Sequence, residues 1–340
     1  MRAIGLKLAL ASMVVVAIAC SGDRALAPSS GHSFQISDLP PELIAPYSRT
    51  ILPGNETVVA LNDSGDAVGA GATGGVLWHG ASHARTTFPI TPTAIANDGT
   101  VAGSIGGHAA TWKNGRVTIL DTAASAALAI CRCESATVVG SVRVNGVKHA
   151  AIWVDGIRID AGVPENADSA EFSAIGTGFV VGNAVVPVWD GRYGTFSHLP
   201  EPYSWSHAGG WQPFSFEDGA TSAVIVSLNS HGMGVGVGVG PNSFNITRAI
   251  LYYVSAGIGS DPPPSHQPFD IIFPTGINDS NRISANATFA PETGAGGEIA
   301  LVDGRLLPPG VFGDRAVGIN SAGIVGGQSS GLPVLWTPNP

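Results

Sequence analysis

The sequence predicts an all-β fold, a seven-bladed β-propeller, and three observations predict it. A unit of four short apolar runs recurs along the 340 residues. Turn-forming residues separate the runs at corresponding places. The last unit stops one run short, while a lone run near the start supplies what it lacks. An open β-solenoid is the alternative architecture for the same repeats.

The clearest unit spans Pro92 to Asp121. Its runs are Thr93–Ala96, Thr100–Ser104, Ala109–Lys113 and Arg116–Leu120. Asn97-Asp98-Gly99 breaks the first pair, and Asn114-Gly115 breaks the last. Asn-Gly between strand-like runs is a hairpin signal because both central residues of the favoured turn need positive φ. Related units follow one another from residue 56 to 337. Asn62, Asn97, Asn229, Asn278 and Asn320 take the first turn, and Trp78, Trp112, Trp153, Trp189 and Trp336 take the third run. The first four of these tryptophans are 34, 41 and 36 residues apart, a spacing typical of repeat architectures. Gly69, Gly103, Gly140, Gly182 and Gly326 recur in the second run, where a missing Cβ admits a bulge or a close backbone. The tryptophans are expected between adjacent sheets as core residues.

The ends sharpen the fold expectation. The seventh unit ends in its third run at Leu335-Trp336-Thr337, and Ser33–Pro40 looks like a stray fourth run. An N-terminal strand at 33–39 would complete the last blade and close the ring, which removes exposed sheet edges.

The repeat resembles the HAF family of extracellular repeats. His108-Ala109-Ala110 and His149-Ala150-Ala151 stand where that family carries His-Ala-Phe, so the Phe is replaced. The Asn-Asp turns, the Val-Gly pair and the Trp-Asp-Gly ending match better. The resemblance covers most of residues 56–337 and implies an extracellular repeat fold without transferable catalytic residues.

The first 19 residues read as a lipoprotein signal peptide. Arg2 and Lys7 precede an apolar run too short for a comfortable membrane span, and Ala17-Ile18-Ala19-Cys20 resembles a lipobox with Cys20 as the lipidation site. Ser21 after the cysteine favours sorting to the bacterial outer membrane or cell surface. Residues 20–32 form a tether. Residues 33–340 form one repeat domain in the periplasm or extracellular space, with insertions near 197–219 and 255–273.

Composition excludes one class of partner. The net charge is −9, and the only lysines are Lys7, Lys113 and Lys148, so no basic stripe for nucleic acid can be assembled. No nucleophile elbow, zinc-protease pair or phosphate loop occurs, and neither a catalytic residue, a metal site nor a cofactor is assigned. Cys131 and Cys133 lie in the first turn of the third unit and are a candidate disulfide in an oxidising compartment. The stretch Gly191–Gly219 concentrates aromatic residues. Tyr203, Trp205 and Trp211 are the candidate ligand-binding residues, able to stack on a sugar or anchor a protein. The expected function is a surface-anchored, monomeric binding or scaffold protein recognising a protein or glycan through propeller loops. A polysaccharide-acting hydrolase or lyase is the alternative; it would need two carboxylates about 5–10 Å apart beside those rings.

Overall fold

The computed structural model describes residues 41–131, 137–190, 195–216, 222–239, 247–254, 258–260, 271–289, 297–310 and 312–340. The stretch 33–39, Cys20 and Cys133 lie outside these residues.

The described strands form seven sheets. The chain enters with β1 (Tyr47–Ile51). Then come β2 to β5 (Thr57–Leu61, Ala67–Gly71, Gly74–His79, Ala84–Phe88) and β6 to β9 (Thr91–Ile95, Val101–Ile105, His108–Lys113, Arg116–Ile119). The third sheet holds β10 to β13 (Ser125–Ile130, Val138–Val144, Val147–Val154, Ile157–Gly162). The fourth holds β14 to β17 (Ser169–Gly176, Phe179–Asp190, Thr195–Ser206, Gly210–Pro213). The fifth collects β18 to β22 (Ser215–Phe216, Ser222–Leu228, Met233–Val239, Thr247–Tyr253, Ile258–Ser260). The sixth has β23 to β26 (Ile271–Ile277, Ile283–Phe289, Gly297–Val302, Arg305–Leu306). The last has β27 to β29 (Arg315–Ile319, Val325–Ser329, Leu332–Pro338) together with β1.

The first strand of each sheet packs on the first strand of the next: β2 on β6, then β10, β14, β19, β23 and β27, which returns to β2. The ring is closed, and an open solenoid is excluded. The expectation of a seven-bladed propeller with a strand at 33–39 closing the last blade is corrected on two points. Six sheets are regular four-stranded blades. The remaining one has five strands, because β18 adds in parallel outside β22. The closing strand is β1, which pairs antiparallel with β29 from Tyr47↔Pro338 to Ile51↔Val334. Tyr47 is buried and its hydroxyl donates to Gly323 O at 2.9 Å. Leu52, which follows β1, is 1% exposed in the core between the last and first sheets.

Local chemistry explains the blades. Asn114 and Gly115 both have positive φ, 49° and 83°, and so do Asn145-Gly146 and Asp155-Gly156, which turns the outer strands back tightly. Val68, Val76, Leu77, Val101 and Val139 fill the space between sheets. Trp78, Trp153 and Trp336 are fully buried there. The Trp78 indole N–H donates to Pro53 O at 2.8 Å and that of Trp336 to Pro308 O at 2.6 Å. Each acceptor follows the outer strand of the preceding sheet, so these tryptophans stitch neighbours together.

Trp189 departs from this set. It is 57% exposed. In the other blades the tryptophan faces the residue that opens the second strand: Trp78↔Ala67, Trp112↔Val101, Trp153↔Val138, Trp336↔Val325. In the fourth sheet that register position belongs to Trp205, opposite Val180. Residues 186–190 continue the second strand rather than forming the third, because β15 and β16 are twelve residues long.

Candidate functional site

The inner strands line a channel along the ring axis, and every one of the seven carries a register break. The breaks skip Val59, Thr93, Leu128, Ser173, Val226, Thr275 and Val317. A bulge bends its strand and leaves the extra residue outside the ladder. All seven of these residues line a cavity of about 290 Å³. The recurrent glycine of the second strand accommodates the bend. A Cβ on Gly103 would lie 2.1 Å from Thr91 O, on Gly140 2.0 Å from Ala126 O, and on Gly182 2.2 Å from Glu171 O. In the last sheet the equivalent residue is Gly327, whose Cβ would meet Arg315 O at 1.9 Å, rather than Gly326.

Polar groups at the wall and mouth of the channel are spent on adjacent sheets. The Thr93 hydroxyl donates to Ala127 O at 2.8 Å and that of Ser173 to Ile225 O at 2.7 Å. At the mouth, a chain of buried asparagines runs from sheet to sheet. Nδ2 of Asn229 donates to Asn278 O, Nδ2 of Asn278 to Asn320 O, Nδ2 of Asn320 to Asn62 O, and Nδ2 of Asn62 to Ala96 O, all at 2.9–3.1 Å. Their Oδ1 atoms accept from N–H groups of their own turns, as Asn62 does from Asp66 and Asn320 from Ile324.

Asn97 is not part of this set. Ala96 holds the asparagine position, its N–H bonded to Thr100 O as that of Asn62 is to Asp66 O. Asn97 matches Asp63 instead, one residue further on. Its Oδ1 accepts from Asp63 N–H, while Asp63 Oδ1 accepts from Ser321 N–H and Asp279 Oδ1 from Ser230 N–H. Asp63 and Asp279 are the charged groups among the described residues lining the cavity, and both hold a neighbouring sheet's backbone. Among the described residues no three His, Cys, Asp or Glu side chains gather as a metal-ligand set.

The three aromatic residues singled out in the sequence come together, but inside the fourth sheet. Tyr203 is 8% exposed; Trp205 and Trp211 are half-buried against Phe172. The Phe172 ring stacks on Trp211 at 5.0 Å and meets Trp205 edge-on at 5.7 Å. Trp211 Nε1 donates to Ala161 O of the third sheet. The Tyr203 hydroxyl donates to Glu201 Oε2 at 3.2 Å, and burial, with the Glu201 charge adding to it, pushes the phenol up to about 12. Residues 195–213 therefore hold the third and fourth strands of the sheet, and the chain's excursion is the hairpin formed by 186–190 and 195–199, where the second strand passes into the third. Cys131 is disulfide-bonded and stands at the asparagine position of its turn.

That hairpin is the feature sequence spacing missed. Among the described residues, β15 has no partner but β16 beyond Val185, and β16 has no strand beside it but β15 before Tyr203. Near its end Trp189 faces Phe196 across the ladder. The rings meet edge-on with centroids 5.1 Å apart, 57% and 60% exposed. Strand directions alternate within a sheet, so this hairpin leaves the ring on the face opposite the asparagine turns. Tyr47, where the closing strand starts, contacts Gly323 on the asparagine face.

No family model matches the chain, and no curated protein matches it; the likeness to HAF repeats gains no support from a family match. Solved structures do resemble it. The β-propeller domain of the Trilobed protease from Pyrococcus furiosus aligns with a TM-score of 0.54 and 13% identity, over 84% of this chain and 97% of that one. The extracellular domain of the putative one component system BT4673 from B. thetaiotaomicron aligns with a TM-score of 0.51 and 8% identity, over 86% of this chain and 39% of that one. TolB from Acinetobacter baumannii gives a TM-score of 0.42 and 10% identity, over 84% of this chain and 65% of that one. At these identities the likeness is one of architecture, and the chain has a β-propeller fold.

Proposed function

We propose that this protein is an extracytoplasmic binding or scaffold protein, attached to a membrane through lipid on Cys20, that holds a protein or glycan partner at the hairpin-bearing face. One contrast carries this reading. The side chains the repeat brings to the channel mouth use their polar atoms on neighbouring backbones, as Asn62, Asn320, Asp63 and Asp279 do. The exposed aromatic surface lies at Trp189 and Phe196 instead. Exposed aromatic pairs favour contact with another molecule over burial in the monomer. Tyr203, Trp205 and Trp211 serve as the root that fixes the hairpin's direction. Among the described residues no helix is long and apolar enough to cross a membrane.

The test is partner capture with the detergent-solubilised protein on glycan and protein arrays, repeated with Trp189→Ala and Phe196→Ala. Loss of a captured ligand in both variants is expected. Depolymerisation of a polysaccharide by the wild type, unaffected by either change, overturns the reading. Cys20→Ser tests the anchor separately: its release from the membrane fraction is expected.

A further inference from the structure

The hairpin of β15 and β16 carries more than two rings, because the outer edges of its main chain meet no other strand among the described residues. From Val186 to Asp190 and from Thr195 to Leu199 the described residues form a two-stranded ribbon, with no other strand on either edge. Two hydrogen bonds at its root show which groups point outward. Asp168 N–H donates to Val185 O, on the side of β15 away from β16. Phe214 N–H donates to Pro202 O, on the side of β16 away from β15. The ladder between the two strands runs without a register break, from Val180↔Trp205 to Asp190↔Thr195. Odd-numbered residues of β15 and even-numbered residues of β16 therefore turn their N–H and C=O groups outward along the whole ribbon.

The two edges differ. Pro187 has no N–H, and it sits at an outward position of β15, which blunts that edge. On β16 the next outward residue, Pro200, likewise has no N–H and its oxygen accepts from the Ser222 hydroxyl, but before it Phe196 and His198 keep both donor and acceptor. Trp189 and Phe196, as directly opposed residues, share one face beside that edge.

We propose that the free edge of β16 between Thr195 and Leu199 is a docking site for an extended polypeptide segment. The segment adds as a further strand, exchanges main-chain hydrogen bonds with Phe196 and His198, and lays an apolar side chain against Trp189 and Phe196. This rests on the binding reading above and names its partner class. Size selects the occupant. The ribbon offers five residues on each strand, whereas a stable globular interface needs about 20–30 residues a side. A second copy or a folded partner seated here alone would be undersized. An added strand draws affinity from main-chain bonds over about five residues, and alternate side chains supply specificity.

The experiment selects a phage-displayed library of random decapeptides against the full-length protein in detergent, with counter-selection on His198→Pro. That variant removes one outward N–H and spares the ladder to β15, since position 198 faces Pro187. His198→Ala is the control: it loses the same side-chain bond to Asp168 but keeps the N–H. The expected result is enrichment of peptides with apolar residues at alternate positions. Their affinity should fall about tenfold or more in His198→Pro and in the Trp189→Ala/Phe196→Ala pair, and stay within about twofold in His198→Ala. Unchanged melting of each variant shows that the ring is intact. No enrichment over His198→Pro, or equal affinity for it, overturns the proposal. A glycan that binds wild type and is lost in Trp189→Ala, with no peptide selected, overturns it while leaving the binding reading in place.

Discussion

Asn320 donates from Nδ2 to the main-chain oxygen of Asn62 at 3.0 Å, joining the last blade to the first across 258 residues of sequence. Asn320 is fully buried, and its Oδ1 accepts from Ile324 N–H at 2.8 Å. Ring closure therefore combines latches on the inner turns, this side chain and the Ser321 N–H bond to Asp63 Oδ1, with β1 on the outer edge.

Removing the Asn320 latch leaves buried polar groups without partners, each costing about 1–3 kcal/mol. Asn320→Ala should destabilise the protein by about 2–4 kcal/mol in urea unfolding. Asn320→Asp keeps the acceptor for Ile324 but sets a buried carboxylate oxygen against Asn62 O, so it should be at least as damaging as Asn320→Ala. An effect below about 0.5 kcal/mol for the alanine variant would mean that the asparagine chain contributes little to closure.

Trp205 and Trp189 offer a direct test of the blade register. Trp205 packs on Phe172 at the core position that Trp78 and Trp336 occupy in their own sheets. Trp205→Ala should cost about 3 kcal/mol, toward the low end of large aromatic truncations because the ring is half-buried. Trp189→Ala removes an exposed ring and should cost about 1 kcal/mol or less. Thermal melts of the two variants read this directly, and the reverse order would restore Trp189 to the repeat.

Much of the blade pattern was legible because turn chemistry is local. Asn114-Gly115 adopts the two positive φ values that its sequence calls for, and Trp78, Trp112, Trp153 and Trp336 sit in register. Spacing misled where the chain departs from the period. Trp189 follows Trp153 by 36 residues, a repeat-like step, while the true third-strand residue Trp205 follows by 52 because the hairpin intervenes. The closing strand was missed for a related reason. Ser33–Pro40 ends in Leu-Pro, but so does the real strand at Leu52-Pro53, and only packing tells them apart. Asn97 lies one position off the asparagine set, as its hydrogen bonds show, and it stands two residues before its turn glycine where Asn62 and Asn320 stand three before theirs. The channel bulges left their trace in the partner strand, as the recurrent glycine at Gly103, Gly140 and Gly182, and none in the skipped residues, since Val59, Thr93, Leu128 and Ser173 share no side-chain chemistry.

Trp153 should tolerate loss of its indole nitrogen better than Trp78 does. Trp78 Nε1 has Pro53 O as partner, while the buried Trp153 Nε1 has none among the described residues. The segment before the third sheet reads Leu120-Asp121 where the acceptors of Trp78 and Trp336 lie in Leu52-Pro53 and Leu307-Pro308. Trp78→Phe orphans Pro53 O as well as losing volume, whereas Trp153→Phe relieves an unsatisfied donor. Chemical denaturation should show Trp78→Phe to be the more damaging change by about 1–2 kcal/mol.

Tyr203 predicts a loss of stability in base. Burial, followed by the Glu201 charge, raises its phenol from 10.0 to about 12. A folded-state pKa above the unfolded value gives stability that is fully present below pH 10 and is lost as pH rises toward 12. Two pKa units correspond to about 2–3 kcal/mol at most. Tyr203→Phe should flatten the fall between pH 10 and 12, measured as the urea midpoint at each pH. A wild-type profile that the substitution leaves unchanged would place the base-sensitive group elsewhere.

The outer latch separates the two candidates for the closing strand by length. A chain starting at Pro41 retains β1, all five of its pairs with β29, the Tyr47 hydroxyl bond to Gly323 and the buried Leu52. It should melt within about 2 °C of the mature protein. A chain starting at Pro53 loses all of these and exposes the edge of β29, a row of unpaired backbone groups beside the fully buried Trp336. Burial of Tyr47 and Leu52 alone accounts for about 3–6 kcal/mol. The shorter chain should therefore unfold at markedly lower urea and associate through the open edge, seen as larger species in light scattering. Equal destabilisation of both truncations would return the closing role to residues 33–39.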